Sequence, residues 1–293
     1  MEREDWTLVE DHLYLSGILS VNSQQTLLKL NIKKVLTVDI KPIERKPPVD
    51  DYMFIRVNDH WDEDLISYFE PTYEFIKEGQ ITGRNVIVHC VGGVSRSATI
   101  VIAYLMNKYK WSYLKTFRYL EKKRSIIDPN YGFKEQLKLF EEMGFKINTS
   151  NKTYRNLLLK NLSYKLRYNA PWRSFVTDED ENPIESYFNK LRISKPSTDG
   201  CKCGYKCKKC RHLIFLDLNV VRENNDTVLI EPLESLKVTL LQSHSGSLNC
   251  PHCCTKLGSF NWNDVKEENK LLGKAIPVLK ISCKKIDRSL IDC

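Results

Sequence analysis

Cysteine is almost missing from the first two hundred residues of this 293-residue chain. Cys90 stands alone there, and the other nine of ten lie between Cys201 and Cys293. The even count would suit disulfides in a secreted protein, but nothing else points to secretion. The start, Met1-Glu2-Arg3-Glu4-Asp5, is acidic and no apolar signal core follows it. The most apolar stretch, Ala98 to Met106, is far short of the roughly 20 residues a spanning helix needs. There is no internal repeat and no long low-complexity run. These absences lead us to expect an intracellular protein without a membrane partner, whose cysteines serve catalysis or hold metal.

What is present fits one large core and a second, smaller unit: 293 residues, 42% of them hydrophobic. A formal net charge of +8 suits phosphorylated or nucleic-acid partners without proving either. The first half alternates strands and helices. Leu13–Leu15, Lys34–Asp39, Phe54–Val57 and Val86–Val88 are strand-like. Helices are expected after Asn22 or Ser23, after Asp64 (with Leu65, Tyr68, Phe69 and Tyr73 on one face), over 97–108, over 112–123 and over 133–143. That alternation predicts an α/β fold, a central mostly parallel sheet flanked by helices. The domains are expected at 1–148, a helical segment and linker at 149–200, and a small β-rich domain at 201–293. Within the middle segment, Lys152–Tyr168 has the pattern of a basic amphipathic helix packed on the first domain, or else a partner-binding segment. The stretches Asp178–Pro183 and Lys195–Gly200 have the polar, proline-containing character of a linker.

The loop His89-Cys90-Val91-Gly92-Gly93-Val94-Ser95-Arg96-Ser97 follows an apolar strand and opens a helix. A helix N-terminus offers free N–H groups and partial positive charge, so it binds anions and favours a thiolate. Gly92 and Gly93 let the backbone turn its N–H groups inward. The Arg96 fork can take two phosphate oxygens, and the Ser97 hydroxyl can stabilise Cys90 as a leaving thiolate. A buried structural cysteine needs neither the Gly-Gly turn nor the Arg-Ser pair. The chemistry also needs a proton donor for the leaving oxygen. Asp59, Asp62, Glu63 and Asp64 lie near the right place, with Asp64 better suited to capping the next helix.

Two C-x-x-C knuckles, Cys207–Cys210 and Cys250–Cys253, stand about forty residues apart around the β-prone runs Leu213–Leu216 and Thr227–Ile230. Two such knuckles supply the four soft ligands of tetrahedral zinc. Cys201, Cys203, His212, His244, Cys254 and Cys283 are looser candidates. Lys202, Lys206, Lys208, Lys209 and Arg211 make a basic cluster at the first knuckle, either a solvated face or a contact for RNA phosphates.

H-C-x-x-G-x-x-R-S, the following Ala103–Met106, and the run Asp128-Pro129-Asn130-Tyr131-Gly132-Phe133 with Gln136-Leu137 resemble the dual-specificity branch of the cysteine-dependent protein tyrosine phosphatases over about residues 5–145. That resemblance implies that Cys90 is the nucleophile and that Arg96 binds phosphate. It also implies that His89 orients the loop by hydrogen bonding, and that Asp59, in Ile55-Arg56-Val57-Asn58-Asp59, is the general acid ahead of Asp62. No metal is needed for catalysis. Lysines, which mark lipid-directed relatives, are absent from the loop, so phosphoproteins carrying phosphotyrosine and phosphoserine or phosphothreonine are the expected substrates. The segments Tyr205–Arg211 and Cys250–Trp262 resemble the C-terminal zinc domain of the dual specificity protein phosphatase 12 family. From that family follow an expected placement in cytoplasm and nucleus and an alternative role in large ribosomal subunit assembly, independent of catalysis. Its second zinc set includes cysteines just after Phe-Asn-Trp. Here Asn263–Glu268 contains none, so one zinc per chain is expected.

Overall fold

The computed structural model describes residues 5–43, 49–168, 182–192, 203–262, 270–271 and 274–290. They form two units, 1–147 and 148–293.

The first unit opens with a hairpin, β1 (Trp6–Glu10) and β2 (Leu13–Ser16), followed by the short helices α1 (Ile18–Asn22) and α2 (Gln24–Lys29). Ser23 caps α2, its hydroxyl accepting from the Thr26 N–H at 3.2 Å. Then come β3 (Ile32–Asp39), β4 (Asp51–Arg56), a single 3-10 turn over 66–68, α3 (Phe69–Ile81), β5 (Asn85–His89), α4 (Arg96–Tyr109), α5 (Tyr113–Lys123) and α6 (Tyr131–Glu142). The sheet order is β1-β2-β5-β3-β4. The pairs β2–β5, β5–β3 and β3–β4 are parallel; the edge hairpin β1–β2 is antiparallel. The sheet is covered on both faces, which is why its central strands read as apolar runs. Val35 and Ile87 pack with Val21, Leu27 and Leu30 from α1 and α2, and α4 is buried from Arg96 to Met106 against the sheet and its neighbouring helices. The consequence for chemistry is topological. The carboxyl ends of β2, β5, β3 and β4 lie side by side, the place where open parallel sheets carry their ligand sites.

The second unit begins with α7 (Lys152–Tyr168) and α8 (Pro183–Arg192). After them come β6 (Cys203–Cys207), β7 (Leu213–Leu216), β8 (Val220–Glu223), β9 (Thr227–Ile230), α9 (Lys237–Gln242), β10 (Ser245–Asn249), β11 (Lys256–Asn261), β12 (Lys270–Leu271), β13 (Lys274–Ala275), β14 (Leu279–Ser282) and β15 (Ile286–Leu290). Five strands form one sheet, β10-β11-β14-β9-β8, and three form another, β15-β6-β7. The expected helix over 152–168 is present, and it falls in the second unit. The cause is a buried carboxylate. Glu231, at the end of β9, takes the Arg155 guanidinium of α7, the Tyr187 hydroxyl of α8 and the Asn219 amide. A buried charge left unpaired costs several kcal/mol, about 3–5 when one partner is removed, so α7 and α8 are tied to the β-rich part. Pro183, expected as part of the linker, is the first residue of α8, and the Asn182 side chain accepts from the Ile184 N–H at 2.9 Å. The remainder of the expected linker, 178–181 and 195–200, lies outside the described residues. Among the described residues no helix is long and apolar enough to cross a membrane.

Candidate active site and metal centre

Strand β5 ends at His89, and Cys90 lies in the turn between it and α4, 1% exposed. Its Sγ accepts the Gly93 N–H at 3.3 Å and the Ser97 hydroxyl at 3.1 Å. Ser95 occupies the N-cap of α4 without using its side chain there, so the first N–H groups of the helix stay available to an anion. Gly93 sits at φ +64°, and an added Cβ would lie 2.6 Å from the Ser16 carbonyl. Only glycine fits this turn with the loop pressed so close to β2.

Arg96 is buried. Its Nη1 donates to the Asp39 carboxylate at 2.8 Å and to the Val57 carbonyl at 3.2 Å. Its Nε is buried with no hydrogen-bond partner and lies 4.0 Å from Asp59 Oδ2. One edge of the guanidinium is anchored, then, and another is left for a phosphate oxygen. Asp59 stands in the loop after β4, its side chain 38% exposed. Its Oδ1 accepts from the Ser95 hydroxyl at 2.7 Å and the Asn130 amide at 2.8 Å. The neighbouring backbone is held by close packing. A Cβ on Gly132 would lie 1.9 Å from the Trp61 carbonyl oxygen, so α6 fixes the acid loop. Asp62, the second candidate acid, has its N–H on the His60 ring at 3.3 Å. Asp64 is buried and accepts from the Ser67 N–H and hydroxyl, capping the 3-10 turn.

His89 is buried between β5 and β3. Its Nε2 pairs with the Thr37 hydroxyl at 2.7 Å and its Nδ1 with the Cys90 carbonyl at 3.3 Å. Burial pulls the imidazole down to about 4, against an opposing pull from the Cys90 carbonyl hydrogen bond. The ring is therefore neutral at pH 7. With Nδ1 donating to the carbonyl, Nε2 accepts from Thr37.

Cys90, Arg96, Ser97 and Asp59 thus converge at one end of the sheet. Sequence reasoning gave no site role to Asp39, Thr37 or Arg124, and took Asn130 only as part of the Asp128–Phe133 run. Asp39 had a usable signal, a carboxylate closing an otherwise buried apolar strand.

In the second unit the sulfurs of Cys207, Cys210, Cys250 and Cys253 all lie within 4.8 Å of one another. Cys207 is 3.8 Å from Cys253, and Cys210 is 3.7 Å from Cys250. A tetrahedron with metal–sulfur bonds of about 2.3 Å has sulfur–sulfur edges of about 3.8 Å, so the donor set fits one metal ion. The two knuckles share one backbone design. Cys207 N–H donates to the His212 carbonyl and Arg211 N–H to the Cys207 carbonyl; Cys250 with Thr255, and Cys254 with Cys250, repeat the pair. Arg211 and Cys254 both take the left-handed conformation, φ +64° and +56°. Beside Cys253, the Thr255 hydroxyl and N–H pull the thiol down, while Cys210, against the pull of the His212 backbone hydrogen bond, is pushed up by burial and the neighbouring thiols.

Among the described residues, no other candidate ligand joins this cluster. His212 stacks on His252 with centroids 5.2 Å apart. The Cys283 thiol points to the Asn224 carbonyl at 3.6 Å. Cys254 is exposed, and Cys203 lies in β6. The His244 carbonyl accepts from the Trp262 N–H. Cys201, Lys202 and the segment 263–268 lie outside the described residues. Within the basic cluster, Lys208 and Arg211 both pair with Asp287.

The family model described as dual specificity phosphatase, catalytic domain, matches residues 13–143. Dual specificity protein phosphatase 12 of Homo sapiens is 30% identical over 286 residues, 87% of this chain and 80% of that protein. Tyrosine-protein phosphatase yvh1 of Schizosaccharomyces pombe is 27% identical over 297 residues, 97% of this chain and 84% of that protein. Among solved structures, the Yvh1 phosphatase domain from Chaetomium thermophilum is 26% identical and covers 46% of this chain and 94% of its own, with a TM-score of 0.42. The human match spans more of the chain than either unit alone, so it takes in sequence from both the phosphatase-like unit and the cysteine-rich one. The chain belongs to the dual specificity protein phosphatase 12 family.

Proposed function

We propose that this protein is a dual-specificity protein phosphatase that hydrolyses phosphotyrosine and phosphoserine or phosphothreonine through a phosphocysteine. The observation that carries the proposal is Cys90 Sγ held by Ser97 and Gly93 at an uncapped helix N-terminus, with Asp59 poised above Arg96. In the first step the Cys90 thiolate attacks phosphorus. The S–P bond forms, the bond to the leaving oxygen breaks, and Asp59 gives that oxygen its proton. The free edge of Arg96 and the N–H groups of the loop take the phosphoryl oxygens throughout. In the second step water attacks the phosphocysteine and Asp59 takes its proton. The S–P bond breaks, the Ser97 hydroxyl steadies the departing thiolate, and inorganic phosphate leaves.

Removing the acid tests this assignment. Asp59→Ala is expected to lower kcat/KM by about 100- to 10,000-fold on phosphoserine peptides, and far less on aryl phosphates whose leaving groups need no proton. The same pattern produced by Asp62→Ala instead would move the acid to that residue.

In the second unit, zinc is the metal best matched to Cys207, Cys210, Cys250 and Cys253, at one ion per chain. It would supply a structural cross-link between the two knuckles. Cytoplasm and nucleus are the proposed compartments.

A further inference from the structure

A phosphate-binding loop that turns its N–H groups inward must turn its carbonyls outward, and those carbonyls need donors of their own. Every carbonyl from Cys90 to Ser95 has one. The Cys90 oxygen faces the His89 ring, Val91 takes the Ile18 N–H, Val94 takes the Asp128 N–H, and Ser95 takes Thr99. The two at the apex of the turn are served differently. Gly92 and Gly93 both accept from one side chain, Arg124, through Nη2 at 3.1 Å and Nε at 3.0 Å.

Arg124 caps the C-terminus of α5 and is 7% exposed. The same guanidinium reaches Asp5 at 3.1 Å and the Thr7 hydroxyl at 3.4 Å, both at the start of the chain. Asp5 is the carboxylate paired with this buried charge. A planar fork can serve two consecutive carbonyls at once, where a peptide N–H has a single hydrogen to donate. The fork's positive charge lies at the carbonyl ends of two peptide dipoles, and the Gly92–Gly93 peptide presents its other end, the Gly93 N–H, to Cys90 Sγ at 3.3 Å.

We propose that Arg124, itself held by Asp5, is a positioning residue for catalysis: it fixes the inward orientation of the loop N–H groups that stabilise the Cys90 thiolate and bind phosphate. The proposal rests on Cys90 being the nucleophile. It predicts that loosening the fork weakens thiolate and oxyanion together, without touching a reacting atom.

The test uses the full chain and two readouts besides turnover: the rate at which iodoacetate alkylates Cys90 at pH 6, followed on the Cys90 peptide by mass spectrometry, and inhibition by inorganic phosphate. Arg124→Ala is expected to lower kcat about 100-fold, the usual cost of a misplaced site. It should slow alkylation and weaken phosphate inhibition by about 10-fold each, the scale of a charge-assisted hydrogen bond. Arg124→Lys keeps the charge and loses the fork, so it should recover little. Asp5→Asn should move all three readouts the same way by a few-fold, and adding it to Arg124→Ala should cost nothing more. Arg124→Ala with wild-type alkylation and phosphate inhibition overturns the proposal. If Arg124→Ala does not fold, Asp5→Asn decides: both readouts unchanged is the same negative result. Cys90→Ser serves as the control, since retained turnover there would instead sink the assignment of the nucleophile.

Discussion

His89 shows how one buried side chain sets a pH limit. Folded, its ring takes a proton only near pH 4; in the unfolded chain it does so at its ordinary 6.5. As pH falls the unfolded state therefore binds the proton first, and stability drops. The effect is confined to the window between 6.5 and 4 and amounts to about 3 kcal/mol across it. Urea unfolding of the phosphatase unit in the full chain should show this slope, and His89→Gln should flatten it. An unchanged slope in the variant would place the charge-sensitive group elsewhere. At this scale the loop motif was legible, because its residues stand within nine consecutive positions. Asp39, Asn130 and Arg124 were not, because each acts across the fold. The contacts Arg96–Asp39, Asn130–Asp59 and Arg124–Gly93 join residues 57, 71 and 31 positions apart; local pattern marks Asp39 as a strand-end carboxylate and Asn130 as part of a motif, but names the partner of neither.

The two cysteine knuckles are built as matching elements, each closed by the same backbone hydrogen bonds. Each ends in a residue forced into the left-handed region, Arg211 and Cys254, where a side chain costs about 1–2 kcal/mol. Cys254→Gly removes that cost while keeping the Cys254 N–H to Cys250 carbonyl bond. It should raise the stability of the second unit by about 1 kcal/mol and leave one zinc per chain, read by thermal unfolding and metal analysis. A loss of zinc in this variant would make Cys254 a ligand. Other elements differ in how openly the sequence declares them. The helix after Ser23 could be read from its cap, and that side chain does accept an N–H; Ser112 and Asn130 cap α5 and α6 in the same way, where helices were expected over 112–123 and 133–143 from periodicity. Strand β1 could not, because its alternation is broken by Leu8, 46% exposed. Helix α8 could not either, since proline marks a turn and a first helical position alike.

For the whole molecule, the division into two units follows from where buried charge is paired. Glu231 draws α7 and α8 into the cysteine-rich unit through partners 76 and 44 residues away, so the amphipathic pattern of 152–168 announced a helix but not its neighbour. The phosphatase unit was legible as alternating strands and helices because local periodicity and topology agree there. The chemistry of the whole molecule turns on one atom, Cys90 Sγ. Para-nitrophenyl phosphate carrying a radiolabelled phosphoryl group forms the phosphocysteine without help from an acid. Asp59→Ala then lacks the base that hydrolyses it. Quenching in denaturant and mapping the label should find it on Cys90, accumulated in Asp59→Ala and absent from Cys90→Ser. Label on any other residue, or undiminished turnover by Cys90→Ser, would contradict the account.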